Sequence, residues 1–188
     1  MVLARPTGLR ADSARNRERI LAVAGRRLAS GSADMSLNAI ARDADVGVGT
    51  VYRHFPTVRT LVETLAADGF EHLVSELRAA VAIADPAEAL SAMVSTGLRS
   101  QLADAGVAAV LAEPVLECTD LRLIGGDMFA AIEEVLTRAR TARVLRADVS
   151  PDDIRRLLVG LVTALRGAEA DAVDRYLGIV LAGLRPTD

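Results

Sequence analysis

An all-α chain of about nine helices is what this sequence predicts, and three observations carry the prediction. Apolar residues recur at three- and four-residue spacing throughout and nowhere alternate as they would along a strand. Alanine and leucine, both strong helix formers, dominate a composition that is 51% hydrophobic yet holds only three Phe and two Tyr. Asp85-Pro86-Ala87-Glu88 and Ser150-Pro151-Asp152-Asp153 each set a capping side chain before a proline at the first helical position, which is how helices start. At 188 residues the chain suits one domain, or a small one joined to a larger one, with length enough for a sizeable core.

Residues 1–14 read as a flexible basic arm, with Pro6 and Gly8 breaking structure and Arg5 and Arg10 spaced along it. Such arms enter the minor groove in some DNA-binding domains, and a plain disordered terminus accounts for the pattern as well. The first helix is expected from Ser13 or Ala14 to Ser30, with Ile20, Leu21, Ala24 and Leu28 inward and Gly31 ending it. Arg15, Arg19, Arg26 and Arg27 lie off that face, either at phosphate or on a solvated surface.

The stretch Ser36 to Phe55, SLNAIARDADVGVGTVYRHF, organises the N-terminal part. Ser36 can cap a short helix that buries Leu37, Ile40, Ala41 and Ala44. Asp45 falls at the turn, where it is one of few residues that tolerates positive φ. Gly47 can cap a second helix whose buried side carries Val51 and Phe55, with Val46 and Val51 stapling its start. Ala41 is small enough for two helices joined by a three-residue turn to approach closely. Val48, Gly49, Thr50, Tyr52, Arg53 and His54 remain outside, short side chains first and hydrogen-bonding ones after. That order suits a helix entering a groove, but spacing alone leaves an ordinary helical hairpin equally open.

GVGTVYRHFPT, preceded by SLNAIARDADV and by RERILAVAGRRLASG, resembles the DNA-binding domain of the TetR family of transcriptional regulators over about residues 15–65. Later, VLRADVSPDDIRRLLVGL resembles the start of the penultimate helix of many members. The resemblance implies a three-helix helix-turn-helix DNA-binding domain at residues 15–60 and a ligand-binding and dimerisation helical bundle at 61–188. Implied DNA-facing positions are Ser36, Asn38, Gly47, Val48, Gly49, Thr50, Tyr52, Arg53, His54, Thr57 and Arg59, with Arg53 reading bases and Tyr52 mostly positioning on phosphate. One departure is visible. The family usually carries a phosphate-contacting Lys two residues after the Pro56 position, where this chain has Val58 and then Arg59.

Thr57 can cap a fourth helix to about Ala82, with Leu61, Leu65, Gly69, Leu73, Leu77 and Val81 on one stripe and a length of roughly 39 Å. It links the two parts, and the resemblance makes it the lever between ligand and DNA. Helices are expected at about 86–103, 107–117 and 120–143. The last two segments carry stripes of the same phase. One holds Ile154, Leu157, Leu158, Leu161, Val162 and Leu165, the other Val173, Tyr176, Leu177, Val180, Leu181 and Leu184. They complete either a four-helix bundle with a second copy or the chain's own core. The resemblance favours a homodimer with Ile154, Leu157, Leu158, Leu161, Leu165, Tyr176, Leu177, Val180, Leu181 and Leu184 at its interface.

Net charge hides an asymmetry that fits a DNA-facing N-terminus. Residues 1–60 hold ten Arg against five acids, +5, and residues 61–188 twelve Arg against twenty acids, −8, for the net −3. All 22 basic residues are Arg. The longest apolar run, Leu157 to Leu165, is too short to span a membrane, and the N-terminus lacks a signal-peptide core, so a cytoplasmic protein is expected. A single cysteine, Cys118, excludes an internal disulfide and is expected to be buried.

No enzyme, cofactor or metal site is legible. His54 and His72, the only histidines, have no Cys or Asp at ligand spacing, and no phosphate loop or GxSxG serine occurs. Gly125-Gly126-Asp127-Met128-Phe129 departs from the diguanylate cyclase signature at its fourth residue and lies in helical context. The middle helices offer Met93, Thr96, Leu98, Leu111, Leu116, Cys118, Met128 and Phe129 for a ligand pocket, with Gln101, Glu113, Arg122 and Asp127 as further polar anchors, although such a stripe also packs as plain core. The expected function is a ligand-responsive repressor that binds a palindromic duplex operator as a homodimer and is released by a small apolar or amphipathic effector. The alternative is a helical small-molecule carrier or sensor whose N-terminal hairpin no longer reads DNA.

Overall fold

The computed structural model describes residues 7–32, 34–113 and 115–186, and among them the chain forms nine α-helices and no strand. They are α1 (Thr7–Ala29), α2 (Leu37–Asp43), α3 (Val48–His54), α4 (Val58–Val81), α5 (Pro86–Ala103), α6 (Ala105–Ala112), α7 (Thr119–Thr141), α8 (Pro151–Ala164) and α9 (Ala170–Gly183). They fall into two compact units, Met1–Leu65 and Ala66–Asp188, and α4 starts in the first and ends in the second.

The first unit is α1 to α3 plus the start of α4. Ile20, Val23 and Ala24 of α1, Leu37, Ile40 and Ala41 of α2, Val51 of α3, Phe55 and Leu61 form one buried cluster. The first helix begins at Thr7, not at residue 13 or 14, so only residues 1–6 of the expected arm remain outside the described residues. Gly8 does not stop it, because first-turn N–H groups need no intrahelical partner, and an Arg15–Asp12 ion pair supports the exposed turn behind it.

The second unit packs α5 against α6, α7, α8 and α9, with α6 and α7 also against α8. Two of its caps, Asp85 and Ser150, are side chains named by the sequence. Asp85 accepts from the N–H groups of Ala87 and Glu88, both at 2.8 Å, and Ser150 with Asp153 forms a reciprocal capping box. α6 departs from expectation by running 105–112 instead of 107–117. Asp104 caps it by accepting from Gly106 and Val107, and Glu113, which precedes a proline, is extended (φ −107°, ψ 135°) and ends it. Close approaches need glycine at two places. A β-carbon on Gly69 would press on Val107 at 2.9 Å and on the Asp104 carboxylate, and one on Gly97 would meet Leu158 of α8 at 2.8 Å. No described helix is long and apolar enough to cross a membrane.

Gly69→Ala should therefore destabilise the protein by about 1–3 kcal/mol in urea unfolding, despite the better helix propensity of alanine. An unchanged midpoint would mean that Val107 and Asp104 yield without cost.

Candidate nucleic-acid interface and ligand cavity

The N-terminal site is built by commitment of the buried faces. Ser36 is extended and its hydroxyl accepts from Ala39 N at 3.2 Å, which starts α2 so that Leu37, Ala39, Ile40 and Ala41 point inward. At the turn Asp45 has φ 51°, and Arg19 of α1 holds it through the carbonyl (3.2 Å) and the carboxylate (3.3 Å). Gly47 is the N-cap residue of α3, and Val51 and Phe55 are completely buried. With that side closed, Val48, Gly49, Tyr52 and Arg53 are exposed, Tyr52 at 48%, while Thr50 and His54 are half-buried. A β-carbon on Gly49 would meet nothing within 4 Å, so the first turn of α3 presents a low surface. His54 Nε2 lies 3.4 Å from Ser13 Oγ, and the Arg17 guanidinium sits 5.6 Å over the Phe55 ring. Ser36, Asn38, Gly47 and Thr57 are exposed, and Thr57 Oγ1 accepts from Thr60 N at the start of α4.

The arginines divide in a way the sequence does not reveal. Arg15, Arg19 and Arg27 are engaged by Asp12, Asp45 and Asp43 respectively. Arg27 also donates to the Asp34 carbonyl, tying α1 to the entry of α2. Arg53 forms no ion pair with an acid among the described residues. Arg59, named above among the DNA-facing positions, turns inward. Its Nε is 2.7 Å from Glu63 Oε1, with the two side chains 17% and 0% exposed. Val58 packs on the buried cluster, so neither residue presents a charge as that Lys does.

Hydrogen bonds set the acid behaviour of this unit. The Arg27 guanidinium holds the Asp43 carboxyl below its ordinary value, and the Ser36 hydroxyl and N–H do the same for Asp34. A carboxyl with a lowered folded-state pKa stabilises above its unfolded value and loses that contribution as pH falls through the folded one.

The second unit contains a cavity of about 50 Å³ among the later part of α4, α5, α6, α7 and α8. Its walls are Leu73 and Leu77, Met93 and Gly97, Leu111, Met128 with Phe129 and Ile132, and Ile154 with Leu158; Gln101 and Arg155 supply the polar groups. Four of the eight expected pocket residues, Met93, Leu111, Met128 and Phe129, come together there. Thr96 and Leu98 do not, because 93, 97 and 101 form the face of α5 that meets the cavity and they lie off it. Leu116 packs toward Gly125 instead, and Cys118, expected to be buried, is half-exposed as the N-cap residue of α7.

The expected dimer stripe also divides. Ile154 and Leu158 line this cavity, and Leu165, Leu177 and Leu184 are buried within the chain. Leu161, Val180 and Leu181 are half-buried, and only Leu157 and Tyr176 of the ten are exposed. An apolar stripe reports that something covers it, not whether the cover is the same chain. Ile179, not singled out by the sequence, is 59% exposed.

Fold and outer face together define a helix-turn-helix protein built to present α3. The model of bacterial regulatory proteins of the tetR family matches residues 20–65, and that of the transcriptional regulator SbtR-like C-terminal domain matches residues 85–186. The chain belongs to the TetR family of transcriptional regulators. Among solved structures it is similar to a TetR transcription regulatory protein from Mycobacterium vanbaalenii, 35% identical, covering 95% of this chain and 99% of that one, TM-score 0.42. A TetR transcriptional regulator from Streptomyces coelicolor is 32% identical, with 92% and 99% covered and TM-score 0.51. PfmR from Thermus thermophilus, at 18% identity, 91% and 98% coverage and TM-score 0.58, shares the fold. No curated protein sequence matches the chain.

The N-terminal geometry is open to two tests. Asp43→Asn should flatten the acid limb of the stability profile below about pH 4 in circular-dichroism titrations; an unaltered limb would deny the Arg27 pair any part in it. Arg59→Ala should cost about 3 kcal/mol of stability by stripping a buried carboxylate of a partner, and Arg59→Met combined with Glu63→Leu should recover most of it. Equal loss in the single and double variants would contradict that assignment.

Proposed function

We propose that this TetR-family regulator is a repressor that binds a palindromic operator as a homodimer and leaves it when a small apolar or amphipathic molecule enters the cavity of the second unit. The observation that carries the DNA half is the outer face of α3, where Gly49 leaves room for close approach, Tyr52 and Arg53 stand exposed, and no described acid engages Arg53. Arg53 is assigned to base edges and Tyr52, Ser36, Asn38 and Thr57 to phosphate, with Gly47, Val48, Gly49, Thr50 and His54 also at the DNA. Arg59 is reassigned from phosphate contact to support of α4.

For the dimer, support comes from the exposed side of α8 and α9. Leu157, Tyr176 and Ile179 are exposed there, and a β-carbon on Gly160, Gly178 or Gly183 would meet nothing within 4 Å. Leu157, Val180 and Gly183 border one surface depression, so the two helices present a single face with bare backbone that a second copy can approach. For the effector, support comes from α4, which contributes Leu73 and Leu77 to the cavity wall and begins in the DNA-reading unit. A ligand that favours one arrangement of such a helix shifts operator affinity by about 1–3 kcal/mol, the usual scale of coupling. The solved relatives include a ketosteroid transcriptional regulator from Mycobacterium tuberculosis and a fatty acid degradation regulator from Bacillus halodurans. At 19% and 18% identity they do not indicate this chain's ligand.

Selection of bound duplexes from a random pool should enrich a two-fold symmetric sequence with half-sites roughly 34 Å, one turn, apart. Arg53→Ala should then weaken binding by about 1–3 kcal/mol and relax preference at one base pair per half-site. Equal losses on selected and random DNA would remove Arg53 from base reading, and enrichment of asymmetric sites would count against the dimer.

A further inference from the structure

Gln101 is the one cavity residue whose chemistry is left incomplete. Its side chain is 4% exposed, and its Nε2 donates to the Gly97 carbonyl at 2.9 Å. That bond fixes the orientation of the amide, since only the nitrogen can donate to a carbonyl. The Oε1 atom, fully buried, accepts no hydrogen bond from the described residues. A buried acceptor left in this state costs the desolvation of that atom, and a donor that reached it through the Gln101-lined wall of the otherwise apolar cavity would recover that cost.

The other polar lining group is already matched. Arg155 is held by Asp152, with Nε 2.9 Å and Nη2 2.8 Å from Oδ1, and it donates to the Leu111 carbonyl at 3.0 Å. An anionic ligand would have to compete with Asp152 for that guanidinium, whereas a neutral donor would find Gln101 Oε1 unoccupied. Size narrows the choice further. A cavity of about 50 Å³ holds only a few heavy atoms as it stands, and a ring enters once Met93 and Met128 in its wall change rotamer to enlarge it.

We infer that the effector is a small, uncharged molecule whose apolar body fills the space between α5, α7 and α8 and whose hydroxyl or N–H donates to Gln101 Oε1. This deepens, and rests on, the reading of the cavity as the effector site. Gln101 then discriminates between alcohols or amides and hydrocarbons of the same shape, because a ligand without a donor leaves the acceptor unpaired.

The test uses the whole 188-residue chain and three probes built on one ring, the near-isosteric pair phenol and toluene and the anion benzoate, titrated by calorimetry into wild type, Gln101→Leu and Gln101→Met. Phenol should bind wild type about tenfold more tightly than toluene, and benzoate most weakly. Both variants should fold, since they remove an unsatisfied buried atom, and in both phenol should lose its advantage while toluene binding persists. Equal binding of phenol and toluene to wild type, tightest binding by benzoate, or a phenol preference that survives both substitutions would overturn the role of Gln101 and leave the cavity as a ligand site. Failure of all three probes to bind wild type at millimolar concentration would overturn the inference and the effector-site reading together.

Discussion

The burial of Val51 and Phe55 against α1 and α2 is the constraint on which the N-terminal unit depends. α3 has only seven residues, too short to be stable alone, so tertiary contact decides both that it is helical and which way it faces. Once those two side chains are inside, residues 48, 49, 52 and 53 have no direction left but outward. The small side chains Ala41 and Ala44 let α3 lie close on α2, and Asp45 at positive φ turns the chain in three residues. Arg19 and Arg27 of α1 then clamp the turn and α2 through acids. Arginines that a charge count would assign to DNA are therefore divided between building the unit and presenting it.

In the second unit the same physics leaves a void. Gly97 admits Leu158 against the backbone of α5, which draws α8 close at that level. One turn further along α5, Gln101 opens onto the remaining space. Leu73 and Leu77 of α4 complete the wall, and the first turns of the same helix contain the buried Glu63 and its arginine partner. One unbroken helix thus carries a buried ion pair in its first turns and a cavity wall further along.

Most of the fold was legible because its signals are local. Caps at Ser36, Asp85 and Ser150, positive φ at Asp45 and helical spacing within single segments all concern residues within a few positions of one another. What sequence reasoning missed depends on distant partners. The stripe of Ile154 and Leu158 is equally apolar whether it faces a second copy or α5, and the structure turns it to α5 and the cavity. Glu63 carries a charge that suggests a surface position; its only signal of burial was an arginine four residues earlier. Gln101 was named as one polar anchor among several, and its place on the Met93–Gly97 face could have singled it out. Thr96, Leu98, Leu116 and Cys118 were apolar or small enough for a pocket but on the wrong face or in the wrong segment.

That α3 is an outward, DNA-reading surface is the claim on which all else rests. The most direct measurement is the affinity of the protein for the DNA upstream of its own coding sequence across a series of salt concentrations. Log affinity should fall linearly with log salt, by about 0.9 for each phosphate contacted, with a total slope of several units. Absence of binding at low salt, or an affinity indifferent to salt, would contradict it.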